Sequence, residues 1–201
     1  MKTGRQVTMP KAKIGILISG RGSNMKALVE ASRAENCPYE VAIVASDNPD
    51  APGLAWARQQ NIVTFTMPTK GIAKPVYEAA IDAALREAGA ELIALAGYMR
   101  LLSNDFVARW RGRIVNIHPS LLPKYKGLDT HQRALDAGDP VAGCSVHIVT
   151  EELDGGKVLG QIQVPVEPGD DAEALAARVL DAEHRLYPRV LAEFARSWTT
   201  A

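Results

Sequence analysis

A chain of 201 residues is long enough to bury a sizeable core and reads as one domain. It is 47% hydrophobic and 23% charged, and 23 Lys and Arg balance 23 Asp and Glu, so nothing in the charge suggests a polyanion-binding surface. Two cysteines, Cys37 and Cys144, lie far apart without a CxxC pattern, which fits a reduced cytoplasmic setting and argues against a disulfide framework or a cysteine-based zinc site.

Residues 1–12 lack the apolar centre of a signal peptide and read as a flexible N-terminal leader. No apolar run approaches membrane-spanning length. "KIGILIS", Lys13–Ser19, is a short apolar run of the kind that forms a buried strand, followed by "GRGSN" and the helical pattern "MKALVEASRA". "YEVAIVAS", Tyr39–Ser46, is a second strand, then a turn-rich "DNPDAPG" and a helix around Leu54–Gln60. "IVTFTM" reads as a shorter third strand. The next helix, "KPVYEAAIDAALREAGA", carries Val76, Tyr77, Ala80, Ile81, Ala84 and Leu85 on one face, with Gly89 as its C-cap. "ELIALAG" is a fourth strand, Ser103 N-caps the helix "NDFVARW", and "RIVNI" is a fifth strand. A helix near Thr130–Ala137 leads to two β-rich runs, "VAGCSVHIVT" and "KVLGQIQVPV", joined through "EELDGG", which predicts an antiparallel hairpin. Asp170 and Glu173 form a capping-box-like start to a long last helix.

Strands alternating with helices imply parallel pairing and right-handed crossovers. The expected fold is therefore α/β: a doubly wound, mostly parallel, Rossmann-like sheet with a C-terminal antiparallel hairpin and a long final helix, in one domain over 13–201.

"SGRGSNM" places Gly20 and Gly22 between a strand and a helix, where backbone N–H groups and the helix dipole hold a phosphate. A dinucleotide fingerprint fails because Met25 stands in the third glycine's place, and no GK[ST] completes a P-loop. The loop reads as a monophosphate site, with Ser23 and Asn24 as further donors; a plain tight turn gives the same pattern.

"NIHPSLLPKYKG" supplies the clearest chemistry. Asn116 and His118 are two apart on a strand, so they point to one side at its carboxyl end, which faces the ligand crevice in open α/β sheets. An amide donates to a developing oxyanion, and an imidazole moves protons near neutral pH. Taken singly, His118 is equally a structural histidine and Asn116 a strand-end hydrogen-bonder. Asp154, in "ELDGGKV", is the candidate to orient the imidazole, or else a turn aspartate bonding its own backbone. His147 shares strand parity with Ser145 and is a supporting candidate, while His131 and His184 lack a nameable partner. No His/Cys spacing supports a metal. Glu183 falls on or beside the apolar stripe of Val179, Leu180, Tyr187 and Val190 in the last helix, so it either reaches water at the edge or needs a partner.

The segments "ILISGRGSN", "LAGYMRLLS", "NIHPSLLPKYKG", "SVHIVTEELDGG" and "AEHRLYP", in this order, resemble the phosphoribosylglycinamide formyltransferase family, from about Lys13 to Tyr187. "HPSLLP" alone marks the wider group of formyltetrahydrofolate-using enzymes. The resemblance implies formyl transfer from 10-formyltetrahydrofolate, as cosubstrate and without a metal, to the amine of glycinamide ribonucleotide in purine biosynthesis. It implies that Gly20, Arg21, Gly22, Ser23 and Asn24 hold the ribonucleotide phosphate region and that Glu183 binds the same substrate. The ribonucleotide phosphate would then fall to the N-terminal half and the folate and catalytic residues to the C-terminal half. Met99, Arg100, Leu101 and Leu102 would line a folate pocket, and Thr150, Glu151, Glu152, Leu153 and Asp154 would close over the pterin. Asn116, His118 and Asp154 match the family's catalytic trio, with Asn116 also at the folate and Asp154 favouring the charged imidazole. Lys74 stands where the family's folate-contacting arginine is expected, keeping charge without the planar fork. Small-molecule substrates are the implied partners, with neither nucleic acid nor membrane, for a monomer or homodimer. The alternatives weighed are a formyltetrahydrofolate deformylase, a methionyl-tRNA formyltransferase and a noncatalytic binding module. The first two would carry extra domains that are not visible, and the last would not require the trio.

Overall fold

The computed structural model describes residues 10–199, so residues 1–9 of the expected leader lie outside the described residues. β1 (Ala12–Ile18) begins one residue before the expected Lys13 and buries every side chain except that lysine. Such a run is stable only with both faces covered, and β1 pairs in parallel with β2 (Tyr39–Ser46) and β4 (Leu92–Leu95) on its two sides. α1 (Ser23–Ser32) follows β1 and buries Met25, Leu28 and Val29. α2 (Pro52–Gln59) starts two residues ahead of the expected Leu54, because Pro52 fits the first helical position, where no N–H is needed. β3 (Thr64–Thr66) is a three-residue edge strand, shorter than "IVTFTM" suggested.

α3 (Lys74–Glu87) buries Tyr77, Ile81 and Leu85 as expected, but Val76 is 55% exposed. Glu78 is buried in its stead. Its carboxylate accepts from the Ser103 backbone N–H at 2.7 Å and from the Ser103 hydroxyl, so the buried charge is satisfied and the helix face turns toward it. Ser103 also caps α4 (Asn104–Arg109), accepting from Phe106 N. β5 (Ile114–His118) starts one residue later than expected and runs through His118. α5 (Thr130–Asp136), β6 (Val141–Ile148), β7 (Val158–Pro165) and α6 (Ala172–Thr199) complete the described chain. The cap of α6 is Asp171, which accepts from Ala174 N at 2.8 Å, and not Asp170. Asp170 instead receives Arg178 Nη1 at 2.6 Å and Glu167 N at 2.8 Å, tying the preceding turn to the helix.

The seven strands form one sheet in the order β3-β2-β1-β4-β5-β6-β7. β1 to β5 pair in parallel, and β5–β6 and β6–β7 are antiparallel, as the hairpin pattern predicted. α1, α2, α5 and α6 pack one core, with Met25, Leu54, Ala134 and Leu186 among its buried side chains. α3 and α4 pack a second around Tyr77, Phe106 and Trp110. α6 is fastened to the sheet by Tyr187, whose hydroxyl lies 3.0 Å from the Leu95 carbonyl and 3.2 Å from that of Val115. The strand order reverses between β1 and β4, and the carboxyl ends of β1, β4 and β5 open there on one edge, where such sheets bind ligands.

Candidate active site

β5 delivers Asn116 and His118 to this edge on the same side of the strand. Antiparallel pairing sets His147 of β6 opposite Asn116 and Ser145 opposite His118. The loop beyond β6 brings back Asp154, held at a left-handed φ of 47° beside Gly155. Its carboxylate is largely buried. One oxygen lies 3.4 Å from His118 Nδ1, the other 3.4 Å from His147 Nε2, and the Gly127 backbone N–H donates to it at 2.9 Å. Burial alone would push the Asp154 carboxyl up. The His147 hydrogen bond, the Gly127 N–H and the two imidazole charges outweigh it and hold the group below its ordinary range.

Backbone carbonyls fix where the imidazole protons sit, because a carbonyl only accepts. His118 Nε2–H donates to the Tyr125 carbonyl at 2.9 Å, and its other nitrogen faces Asp154. His147 Nδ1–H donates to the Ile148 carbonyl at 3.0 Å. Its Nε2 lies 3.3 Å from the Asn116 amide and 3.4 Å from Asp154, so it accepts from the amide when neutral and donates to the carboxylate when protonated; in either state an amide hydrogen of Asn116 is left for a ligand. His118 is 5% exposed and His147 2%, so the cluster works largely out of water.

These groups line a cavity of about 760 Å³. Lys74 and Met99 to Leu102 line it as well, as do Thr150 to Asp154, so the expected folate residues and the catalytic trio share one space. Met99, Leu101 and Leu153 are 69%, 67% and 50% exposed and give it an apolar entrance. The side chains of Glu151 and Glu152 are engaged elsewhere, with Arg111 at 2.8 Å and Lys126 at 2.7 Å. Lys74 has Glu78 at 4.0 Å and is otherwise half in solvent.

Asn24 and Glu183 line the same cavity, brought together from α1 and α6. Glu183 is 6% exposed, which removes the alternative that it reaches water at the stripe's edge. Burial pushes its carboxyl up to about 7, against the pull of the Asn24 amide, which donates to it at 2.6 Å. Asn24 thereby spends one amide hydrogen on Glu183, while its own Oδ1 is buried without a partner. Gly20, Arg21 and Gly22 form the β1–α1 turn, Ser23 opens α1, and none of the four lines the cavity. Gly22 has φ 68°, a left-handed conformation that favours glycine, and the N-terminus of α1 has no side-chain cap.

The sequence pattern understated His147 and missed the Tyr125 carbonyl and the Gly127 N–H. His147 carried one usable signal, its strand parity, but pairing it with Asn116 needs the β5–β6 register. The two backbone groups leave no side-chain signal at all.

A doubly wound sheet with an amide, two imidazoles and a carboxylate gathered where β5 pairs with β6 has the make-up of an α/β enzyme. The chain belongs to the formyl transferase family, whose pattern it matches over residues 12–191. It is 44% identical over 183 residues to phosphoribosylglycinamide formyltransferase of Escherichia coli K12, covering 90% of this chain and 86% of that protein. The crystal structure of phosphoribosylglycinamide formyltransferase from Brucella melitensis superposes with a TM-score of 0.88 at 54% identity, over 92% of this chain and 96% of that one. Glycinamide ribonucleotide transformylase 1 from Symbiobacterium toebii gives a TM-score of 0.91 at 39% identity, over 98% and 94%. The trifunctional purine biosynthetic protein adenosine-3 of Drosophila melanogaster is 43% identical over 95% of this chain, which spans 14% of that longer protein.

Proposed function

We propose that this protein transfers the formyl group of 10-formyltetrahydrofolate to the amine of 5'-phosphoribosylglycinamide, giving formylglycinamide ribonucleotide and tetrahydrofolate. The observation that carries this reading is the cluster of Asn116, His118, His147 and Asp154 in a cavity that also reaches the Asn24–Glu183 pair. The neutral amine attacks the formyl carbon, forming the new C–N bond. The free N–H of Asn116 donates to the oxyanion, and the imidazolium of His118, faced by the Asp154 carboxylate, adds charge opposite it. The bond to the folate nitrogen then breaks. His118, once its contact to Tyr125 is released, gives its proton to that nitrogen as the bond breaks and then takes up the proton lost by the attacking amine.

In this reading the folate lies against Met99 to Leu102 and under Thr150 to Asp154, with Lys74 near its anionic tail. The ribonucleotide places its phosphate at the Gly20–Ser23 turn, where the uncapped N-terminus of α1 favours an anion, and its glycinamide portion at Glu183. Residues 13–201 then act as one domain, in the cytoplasm, where the buried free thiols Cys37 and Cys144 fit a reducing setting. The test is incubation of the purified protein with both substrates, following formylated ribonucleotide and tetrahydrofolate together. Donor hydrolysis without formylated ribonucleotide would replace this reading by the deformylase.

A further inference from the structure

The catalytic pair is completed by backbone, and that backbone comes from the segment 124–128. The Tyr125 carbonyl receives His118 Nε2–H at 2.9 Å, and the Gly127 N–H reaches Asp154 at 2.9 Å. The segment's own position therefore matters to the proton chemistry, and its apolar packing comes from the Tyr125 ring against the core, while Leu128 is exposed. Lys124 and Tyr125 also line a cavity of about 250 Å³, together with His131, Ala134 and Val141. Tyr125 itself holds a φ of 55°, a region costly for a residue with a Cβ, and Gly127 holds 80°.

Polar ties hold the rest of it. Asp139, at the end of the α5–β6 turn, receives Lys124 Nζ at 2.9 Å on both oxygens and the Tyr125 hydroxyl at 2.7 Å. Arg133 of α5 donates to the carbonyls of Lys126 at 2.7 Å and Leu128 at 3.2 Å, with its guanidinium 5.2 Å from the Tyr125 ring centroid. Ser120 adds a bond to the Lys124 carbonyl at 2.6 Å, and Lys126 pairs with Glu152 at 2.7 Å across to the loop that carries Asp154. Neither Asp139 nor Arg133 lines the catalytic cavity.

We propose that Asp139 and Arg133 are positioning residues for formyl transfer: they fasten the segment 124–128 so that the Tyr125 carbonyl and Gly127 N–H set the starting positions of His118 and Asp154, from which His118 leaves Tyr125 to carry the proton. The inference rests on the activity proposed above. The other titratable or charged groups facing the pair are His147 from β6 and His131 from α5, with Lys126 and Glu152 on the two loops.

Asp139→Ala and Arg133→Met test it, with Asp139→Glu as the conservative partner and thermal melts to establish the folded fraction. Per folded enzyme, kcat falls about tenfold to a hundredfold, as for misplaced catalytic groups. KM for both substrates stays within about twofold of wild type, and the acid limb of the kcat profile moves to higher pH as Asp154 loses its Gly127 N–H. Asp139→Glu recovers part of the rate. A second readout needs no turnover: ¹⁵N imidazole signals of the substrate-free protein, in which His118 Nε2 shifts in Asp139→Ala. This separates failure of the inference from failure of the assigned reaction. Wild-type kcat per folded enzyme with an unmoved pH profile, or an unchanged His118 signal, overturns the proposal.

Discussion

Glu183→Gln exchanges stability for function in a way that pH resolves. The folded carboxyl is raised from its usual 4.5 to about 7 because it is buried among the residues of α6 and α1. At about 1.36 kcal/mol per pKa unit, keeping it ionised above pH 7 costs about 3 kcal/mol of folding stability. The sign follows from the folded pKa lying above the unfolded one. The native state binds the extra proton, so this contribution is fully present below the unfolded pKa and is lost as pH rises through about 7. Glutamine keeps the shape and still accepts from the Asn24 amide, so the variant escapes the loss. Urea unfolding of both proteins from pH 4.5 to 8 should give curves that meet at the acid end and diverge to about 3 kcal/mol at pH 8, the variant being the more stable. Carboxylates held low, Asp139, Asp154 and Asp170, slope the other way in both proteins and cancel in the difference. The same variant should lose about 1–3 kcal/mol of ribonucleotide binding, through one charge-assisted hydrogen bond, with folate binding unchanged by calorimetry. Parallel stability curves would refute the buried-charge argument, and unchanged ribonucleotide affinity would refute the substrate role.

Asp154→Asn should lower kcat by about a hundredfold or more, with substrate affinities far less affected, because it removes the charge facing two imidazoles; steady-state kinetics over pH checks this, and an unaltered pH–rate profile would exclude its coupling to His118. Lys74→Ala should raise KM for the folate with kcat near wild type, since Lys74 lines the cavity and is otherwise only 4.0 Å from Glu78; an equal KM would return Lys74 to the solvated helix face.

Much of the fold was readable because the pattern is local. Apolar runs such as Lys13–Ser19 and Tyr39–Ser46 fit β1 and β2 within a residue, since a strand covered on both faces needs no alternation. The misreadings came where a polar residue finds a distant partner. Val76 was assigned to the buried face of α3 on apolarity, but Glu78 takes that face because Ser103, 25 residues on, supplies both its hydrogen bonds. Asp170 was read as a cap on spacing, but Arg178 claims it and leaves the cap to Asp171.

The site divides along the same line. Asn116 and His118 were legible together because two residues on one strand share a side by geometry alone, whatever the rest of the chain does. Asp154 was legible only as a candidate, because its approach to His118 depends on how the 35 residues between them fold, and the resemblance, not the spacing, singled it out. His147 shows what spacing omits. Its Nε2 has one lone pair, and the Asn116 amide and the Asp154 carboxylate both lie against it, at 3.3 and 3.4 Å. Neutral, that nitrogen accepts from Asn116; protonated, it donates to Asp154 and releases the amide. It cannot do both, so the protonation state of His147 links Asn116 to Asp154. That link exists only because β6 runs antiparallel to β5 in the register that sets His147 opposite Asn116, and no local pattern in "SVHIVT" encodes the register.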